Sequence, residues 1–152
     1  MVSEKNDQAV LSVEREVNNV LHKIVIFITI LAMGMMLIEF FSRGDYPQNR
    51  ISAFYIGVLL IYSLHKEALR WLEEKHGEYP QRKGEYFVYS WILLTAALYL
   101  INFVYKDYFL FSTRGEQLST LNEISFTALE VCAVFILTRL IKIIGTNYKK
   151  GL

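Results

Sequence analysis

The chain of 152 residues holds one cysteine, two prolines and three histidines. A lone thiol, Cys132, excludes a disulfide framework, a CxxC redox pair and a thiolate metal site. His22, His65 and His76 have no metal-ligand spacing, and there is no HExxH. The three aspartates, Asp7, Asp45 and Asp107, all lie outside the apolar blocks, so no pair of intramembrane aspartates exists for acid–base work, and no Glu-Arg-x-x-Asn motif is present. No catalytic group, cofactor or metal is therefore expected. An excess of one charge is missing too: 16 Lys+Arg against 15 Asp+Glu leave a net +1, which gives no global reason for nucleic-acid binding.

What the chain does have is apolar surface. Hydrophobic residues make up 53% and aromatic residues 14%, and mean hydropathy is +0.27. That excludes disordered, collagenous and low-complexity classes. The apolar residues fall into four blocks: Ile24–Phe41, Ile51–Leu64, Tyr86–Tyr105 and Leu121–Ile144. The third carries no charge at all, and the first only Glu39. Both are apolar all round, whereas a surface helix of a soluble bundle keeps a polar stripe toward water. A bilayer core needs about 20 mostly apolar residues per helix. The expectation is an all-α integral membrane protein, a four-transmembrane-helix bundle in one domain. Its spans fall at about 23–42, 51–72, 86–105 and 121–143, preceded by a cytoplasmic amphipathic helix over 7–22.

The basic residues orient this threading. Alternating spans place Lys5, Arg15 and Lys23, then Lys66, Arg70, Lys75, Arg82 and Lys83, then Arg139, Lys142, Lys149 and Lys150 on one side. The other side receives Arg43, Arg50, Lys106 and Arg114. Twelve against four is the bias of the positive-inside rule and puts both termini in the cytoplasm. The small size fits a prokaryotic plasma membrane. Aromatic residues bracket the blocks. Phe40, Phe41, Tyr46, Tyr105, Tyr108, Phe109 and Phe111 are expected at the outer interface, and Trp71, Tyr79, Tyr86, Phe87 and Trp91 at the inner one.

Residues 1–23 hold Glu4, Asp7, Glu14 and Glu16 and precede no A-x-A-like site, so a cleaved signal peptide is not expected. Val10, Val13, Val17, Val20, Leu21 and Ile24 recur at helical spacing instead, with Asp7 as a candidate N-cap. This helix suits either the inner leaflet or another helix. Pairing is favoured, because its polar face has too little Lys and Arg for an anionic-lipid anchor. The second block is expected to continue as helix to about His76, with Gly77 and Pro80 as stops. Thr120-Leu-Asn-Glu123 matches a capping box that makes Thr120 the N-cap of the last helix.

Among polar residues, Glu130 stands near mid-depth of the fourth span. A carboxylate there costs about 2.5–3.5 kcal/mol on insertion scales, so it is expected to face the bundle, be protonated or hold a partner. Arg139, nine residues on, points elsewhere and is expected to reach the headgroups with Lys142. In the third block Trp91, Thr95, Tyr99, Asn102 and Lys106 share roughly one face, as do Glu123, Thr127 and Glu130 in the fourth. Two readings follow. Glu39, Asn102, Lys106 and Glu123 read as an outward vestibule above an ion or proton site at Glu130, or Glu39, Thr95, Tyr99, Asn102, Lys106, Glu123 and Thr127 as plain interhelical contacts. Met33, Met35 and Met36 read as gap-fillers, and Gly34 and Gly57 as close-approach points. The partners expected are the lipid bilayer and either a second copy or another membrane protein. The function expected is a non-enzymatic scaffold or accessory subunit; the alternative is an oligomeric ion channel or small transporter using Glu130.

Overall fold

The computed structural model describes residues 2–47, 51–75 and 85–150. They form four helices: α1 (Val2–Phe41), α2 (Ile51–Lys75), α3 (Glu85–Val104) and α4 (Thr120–Lys150). A 3-10 turn, Tyr108–Leu110, lies before α4. Among the described residues there is no strand, only an isolated bridge between Phe111 and Gln117.

Three helices contain a segment long and apolar enough to cross a membrane: Ser12–Phe41, Glu85–Val104 and Thr120–Ile141. The apolar run of α2 stops sooner, giving way at Leu64 to His65, Lys66 and Glu67. The expected helices at 7–22 and 23–42 are one unbroken helix. Asp7 therefore lies inside α1 rather than at its start; no glycine or proline stands between Val2 and Gly34 to break it. The expected stops at Gly77 and Pro80, and the placements of His76 and Tyr79, fall outside the described residues, as do the side chains of Trp71 and Lys142.

The helices alternate in direction. His22 meets Tyr62 and Thr29 meets Tyr55, so α1 and α2 are antiparallel. Trp91 packs on Tyr55 and Phe87 on Tyr62, which makes α3 antiparallel to α2. Tyr99 faces Ser125 and Glu85 faces Arg139, so α4 runs back along α3. α4 also packs on α2 and α1. One end of the bundle thus carries the α1–α2 and α3–α4 connections, and the other holds the starts of α1 and α3; these are called the connection side and the terminal side below.

Val25, Ala32, Met36 and Phe40 of α1, Tyr55 and Leu59 of α2, Trp91 and Leu98 of α3, and Ile124, Ala128 and Val131 of α4 close the core. Gly34 and Gly57 have nothing near enough to count as close-approach points within the bundle.

On the connection side α1 and α3 end alike. Gly44 N–H bonds Glu39 O and Arg43 N–H bonds Phe40 O; Asp107 N–H bonds Asn102 O and Lys106 N–H bonds Phe103 O. This is the Schellman pattern, which needs a left-handed residue after the helix. Arg43 (φ 54°) and Lys106 (φ 51°) adopt that conformation although neither is glycine, at a cost of about 1–2 kcal/mol each. Gly44 (φ 81°) follows Arg43 in a left-handed conformation that favours glycine, and a Cβ there would have to displace the Leu118 side-chain methyl that lies 2.7 Å away.

Candidate functional site

The polar contacts gather in two layers. The connection-side layer contains Glu39, Asn102 and Thr120, and the terminal-side layer His22, Glu85 and Arg139. At 1.5 Å per residue, His22 to Glu39 and Glu85 to Asn102 each span about 26 Å, and Thr120 to Arg139 about 28 Å. The outer surface of the zone between is mostly apolar: Phe27, Ile30, Leu93, Leu100 and Phe126 are each more than 60% exposed. Water would penalise such a surface, since soluble monomers rarely carry contiguous apolar patches of this extent.

In the connection-side layer Glu39 is buried, and its Oε1 accepts a hydrogen bond of 3.2 Å from Thr120 Oγ1. Thr120 is thus already helical, and its hydroxyl ties α4 to α1 instead of capping α4. Glu123 N–H makes a normal helical bond to Ser119 O, while its Oε1 accepts from Ser119 Oγ at 2.7 Å. Asn102, also buried, donates from Nδ2 to Asp107 Oδ1 at 2.8 Å and so braces the cap of its own helix. Lys106 is exposed in that cap. The four residues of the expected vestibule therefore have separate engagements. Glu39 turns to Thr120, Asn102 to Asp107, Glu123 to Ser119, and Lys106 to the surface.

Arg43 organises this end in a way the sequence did not announce. Its Nε and Nη2 donate to Phe111 O (2.8 Å) and Ser112 O (2.9 Å), and its guanidinium lies 4.1 Å over the Tyr108 ring. Thr113 Oγ1 donates to Asp45 Oδ1 at 2.9 Å, a second clamp between the two connections. Phe40, Phe41, Tyr105, Tyr108 and Phe109 cluster beside them, where aromatic residues were expected.

In the terminal-side layer Arg139 pairs with Glu85 across α3 and α4 at 2.5 Å, with its guanidinium 5.0 Å over Phe135. The expected reach of Arg139 toward headgroups is replaced by this bridge, because antiparallel register brings the first residue of α3 level with it. Tyr62 OH and His22 Nδ1 lie 3.0 Å apart, and His65 Nε2 lies 3.6 Å from Glu14 Oε2. A cavity of about 60 Å³ opens here, lined by Tyr62, Ser63, Lys66, Glu85 and Arg139. It has room for a few waters but falls well below the roughly 300 Å³ of a small-molecule site. Trp91, expected at the inner interface, is instead wholly buried, and its Nε1–H donates to Tyr55 OH at 2.8 Å.

The remaining candidates divide between backbone bonds and interhelical contacts. Thr95 and Thr127 hydroxyls donate to the carbonyls of Trp91 and Glu123, one turn earlier in their own helices. Ser125 Oγ donates to Tyr99 OH at 3.1 Å, joining α4 to α3. Glu130 differs from all of these. Among the described residues between the two layers, Lys23 and Glu123 each lie within a turn of one layer, and Glu130 alone stands near mid-depth, ten residues from Thr120 and nine from Arg139. It faces away from the core, exposed among Phe126, Leu129 and Leu137, and makes no hydrogen bond or ion pair with the described residues.

No protein-family model, no curated protein and no solved structure matches the chain.

Proposed function

We propose that this chain is an integral membrane protein that crosses the bilayer four times and acts as a self-associating, non-enzymatic subunit. The separation of the two polar layers supports membrane placement, because it approaches the roughly 30 Å of a bilayer core. α2 qualifies as the fourth span by topology. α1 ends on the connection side and α3 starts on the terminal side, so the chain between them returns across the zone, and α2 is the returning element. The basic-residue split puts both termini in the cytoplasm, and the size suits a prokaryotic plasma membrane.

The observation that carries self-association is the position of Glu130. An exposed carboxylate at mid-depth meets lipid in a monomer, at a cost of about 2.5–3.5 kcal/mol. A neighbouring subunit lowers that cost where it brings a hydrogen-bonding group to the carboxyl, since apolar cover alone leaves it unsatisfied. Among the described residues no charge pair lies near Glu130, and this, with the small size of the terminal-side cavity, favours a structural role over an enzymatic one. The measured mass of the protein purified in mild detergent is expected to be that of a dimer or larger assembly; a strict monomer overturns this reading.

A second reading rests on the same outward position: an oligomeric pore or small transporter in which Glu130 binds a proton or cation between subunits. Proteoliposome flux that is present in wild type and lost in Glu130→Gln supports it. No flux in either protein removes it for the ions tested.

A further inference from the structure

The N-terminal part of α1 packs the opposite way from an ordinary amphipathic helix. Its polar side faces α2, with Glu14 beside His65 and His22 beside Tyr62. Its apolar side, Val10, Val13, Val17, Val20 and Ile24, faces out, each residue 42–58% exposed. A shallow groove runs along it between Val13, Glu16, Val17 and Val20. A bilayer core bounded by the two polar layers leaves Val10, Val13 and Val17 outside it. α1 is unbroken, so Val10, twelve residues before His22, projects about 18 Å beyond the terminal-side layer.

The spacing of the outward residues is three-four-three-four, the a/d pattern of a coiled coil. It continues without a change of phase through the apolar zone as Phe27, Leu31, Gly34, Ile38 and Phe41. The four large residues of that stretch are again 44–67% exposed, and a Cβ on Gly34 would meet nothing within 4 Å. The seam is therefore open along about 46 Å. Lipid covers the stretch inside the zone of a lone subunit, but a single occupant of the whole seam is a helix that passes from water through the zone in the same path. A second α1, inserted in the same direction, has that length, that register and that change of environment.

We infer that two copies of this chain pair through a parallel, in-register α1–α1 coiled coil whose seam runs from Val10 to Phe41. The flanking residues allow it. In a parallel pair, Glu16 of one copy meets Leu21 of the other and Lys23 meets Ile28, so no like charges oppose each other across the seam. Gly34 faces Gly34 and permits close approach. About half of nine side chains of roughly 100–200 Å² each comes to about 900–1,800 Å² over both copies, a range that includes the roughly 1,200 Å² lower bound for a stable interface.

Glu130 lies on the same face. On α4 it is about 80° around from Thr120, the residue bonded to α1, and on the flank away from Ser125 and Arg139, which touch α3. On α1 the seam lies about 80° from Glu39, on the flank away from His22, which touches α2. One interface covers both. This inference rests on the self-association reading and names its surface.

The test is disulfide cross-linking in membranes, in a Cys132→Ala background. Val20→Cys and Ile38→Cys sample the two halves of the seam. Asn19→Cys and Ile92→Cys are controls that are also exposed but off the seam. Oxidation is expected to give about tenfold more covalent dimer at both seam positions than at either control, because only there do facing Cβ atoms come within bonding reach. Equal cross-linking at seam and control positions, or none at the seam, overturns the inference. The double variant Val13→Lys/Val20→Lys keeps the bundle intact, since both side chains point out of it, and is expected to lose the dimer mass while helicity by circular dichroism is unchanged. A wild-type oligomer whose mass survives this variant overturns the seam but leaves self-association standing. A monomeric wild type overturns both.

Discussion

Replacing Trp91 with alanine is expected to destabilise the bundle by about 3–5 kcal/mol, the range for emptying a buried indole site. Trp91 is wholly buried, packs against Tyr55 at a centroid distance of 5.3 Å and donates to its hydroxyl. It therefore links α3 to α2, a pair of helices joined by few other contacts. Lipid tails are as apolar as the core, so the loss arises less from transfer out of water than from unfilled volume and a stranded Tyr55 hydroxyl. Trp91→Phe separates the two parts. It keeps most of the ring volume and loses the hydrogen bond, so a cost of about 0.6–1.7 kcal/mol is expected. Unfolding by graded denaturing detergent in mixed micelles measures both variants. Equal stability of Trp91→Ala and wild type would show that α3 is not held through this contact.

Glu130→Leu is expected to weaken self-association about 100-fold or more per site. In the monomer the carboxylate lies among outward-facing Phe126, Leu129 and Leu137. Association that gives Glu130 a hydrogen-bonding partner relieves an exposure cost of about 2.5–3.5 kcal/mol, and leucine removes the cost and so the incentive. The same change leaves the fold of one subunit intact, because the side chain makes no contact that holds the bundle. Glu130→Gln keeps the hydrogen-bonding capacity without the charge and should fall between. Dilution in bilayers, followed by resonance energy transfer between labelled subunits, gives the three affinities. Tighter association of the leucine variant would mean that Glu130 opposes the contact and reaches lipid headgroups or water instead.

Much of this architecture is legible in the sequence. Four apolar blocks and a lopsided distribution of Lys and Arg are enough to place four helices and to alternate them, because apolar length and loop charge depend on composition alone. What composition does not carry is azimuth. The valines of α1 were readable as an apolar stripe, but periodicity is blind to whether a stripe faces its own bundle or another molecule. The decision rests on Glu14 with His65 and His22 with Tyr62, contacts between residues about forty to fifty apart. The stripe from Trp91 to Lys106 fails for a related reason. Steps of four residues drift about 40° each around a helix, so Trp91 and Asn102 are buried while Tyr99 and Lys106 are exposed. Thr120 and Arg139 were assigned to their own helix end and to the headgroups. Their actual partners, Glu39 and Glu85, become visible only once the antiparallel register sets the levels.

The claim on which the rest depends is that the apolar zone between the two polar layers lies in the bilayer. Sided cysteine labelling tests it directly. In sealed vesicles of a Cys132→Ala background, Ser12→Cys on the terminal side and Thr113→Cys in the exposed α3–α4 connection are treated with a membrane-impermeant maleimide. The account predicts that each is labelled from one face only, and from opposite faces, with Ser12→Cys accessible from the cytoplasmic side. Labelling of both from the same face, or recovery of the chain in the soluble fraction, would contradict it.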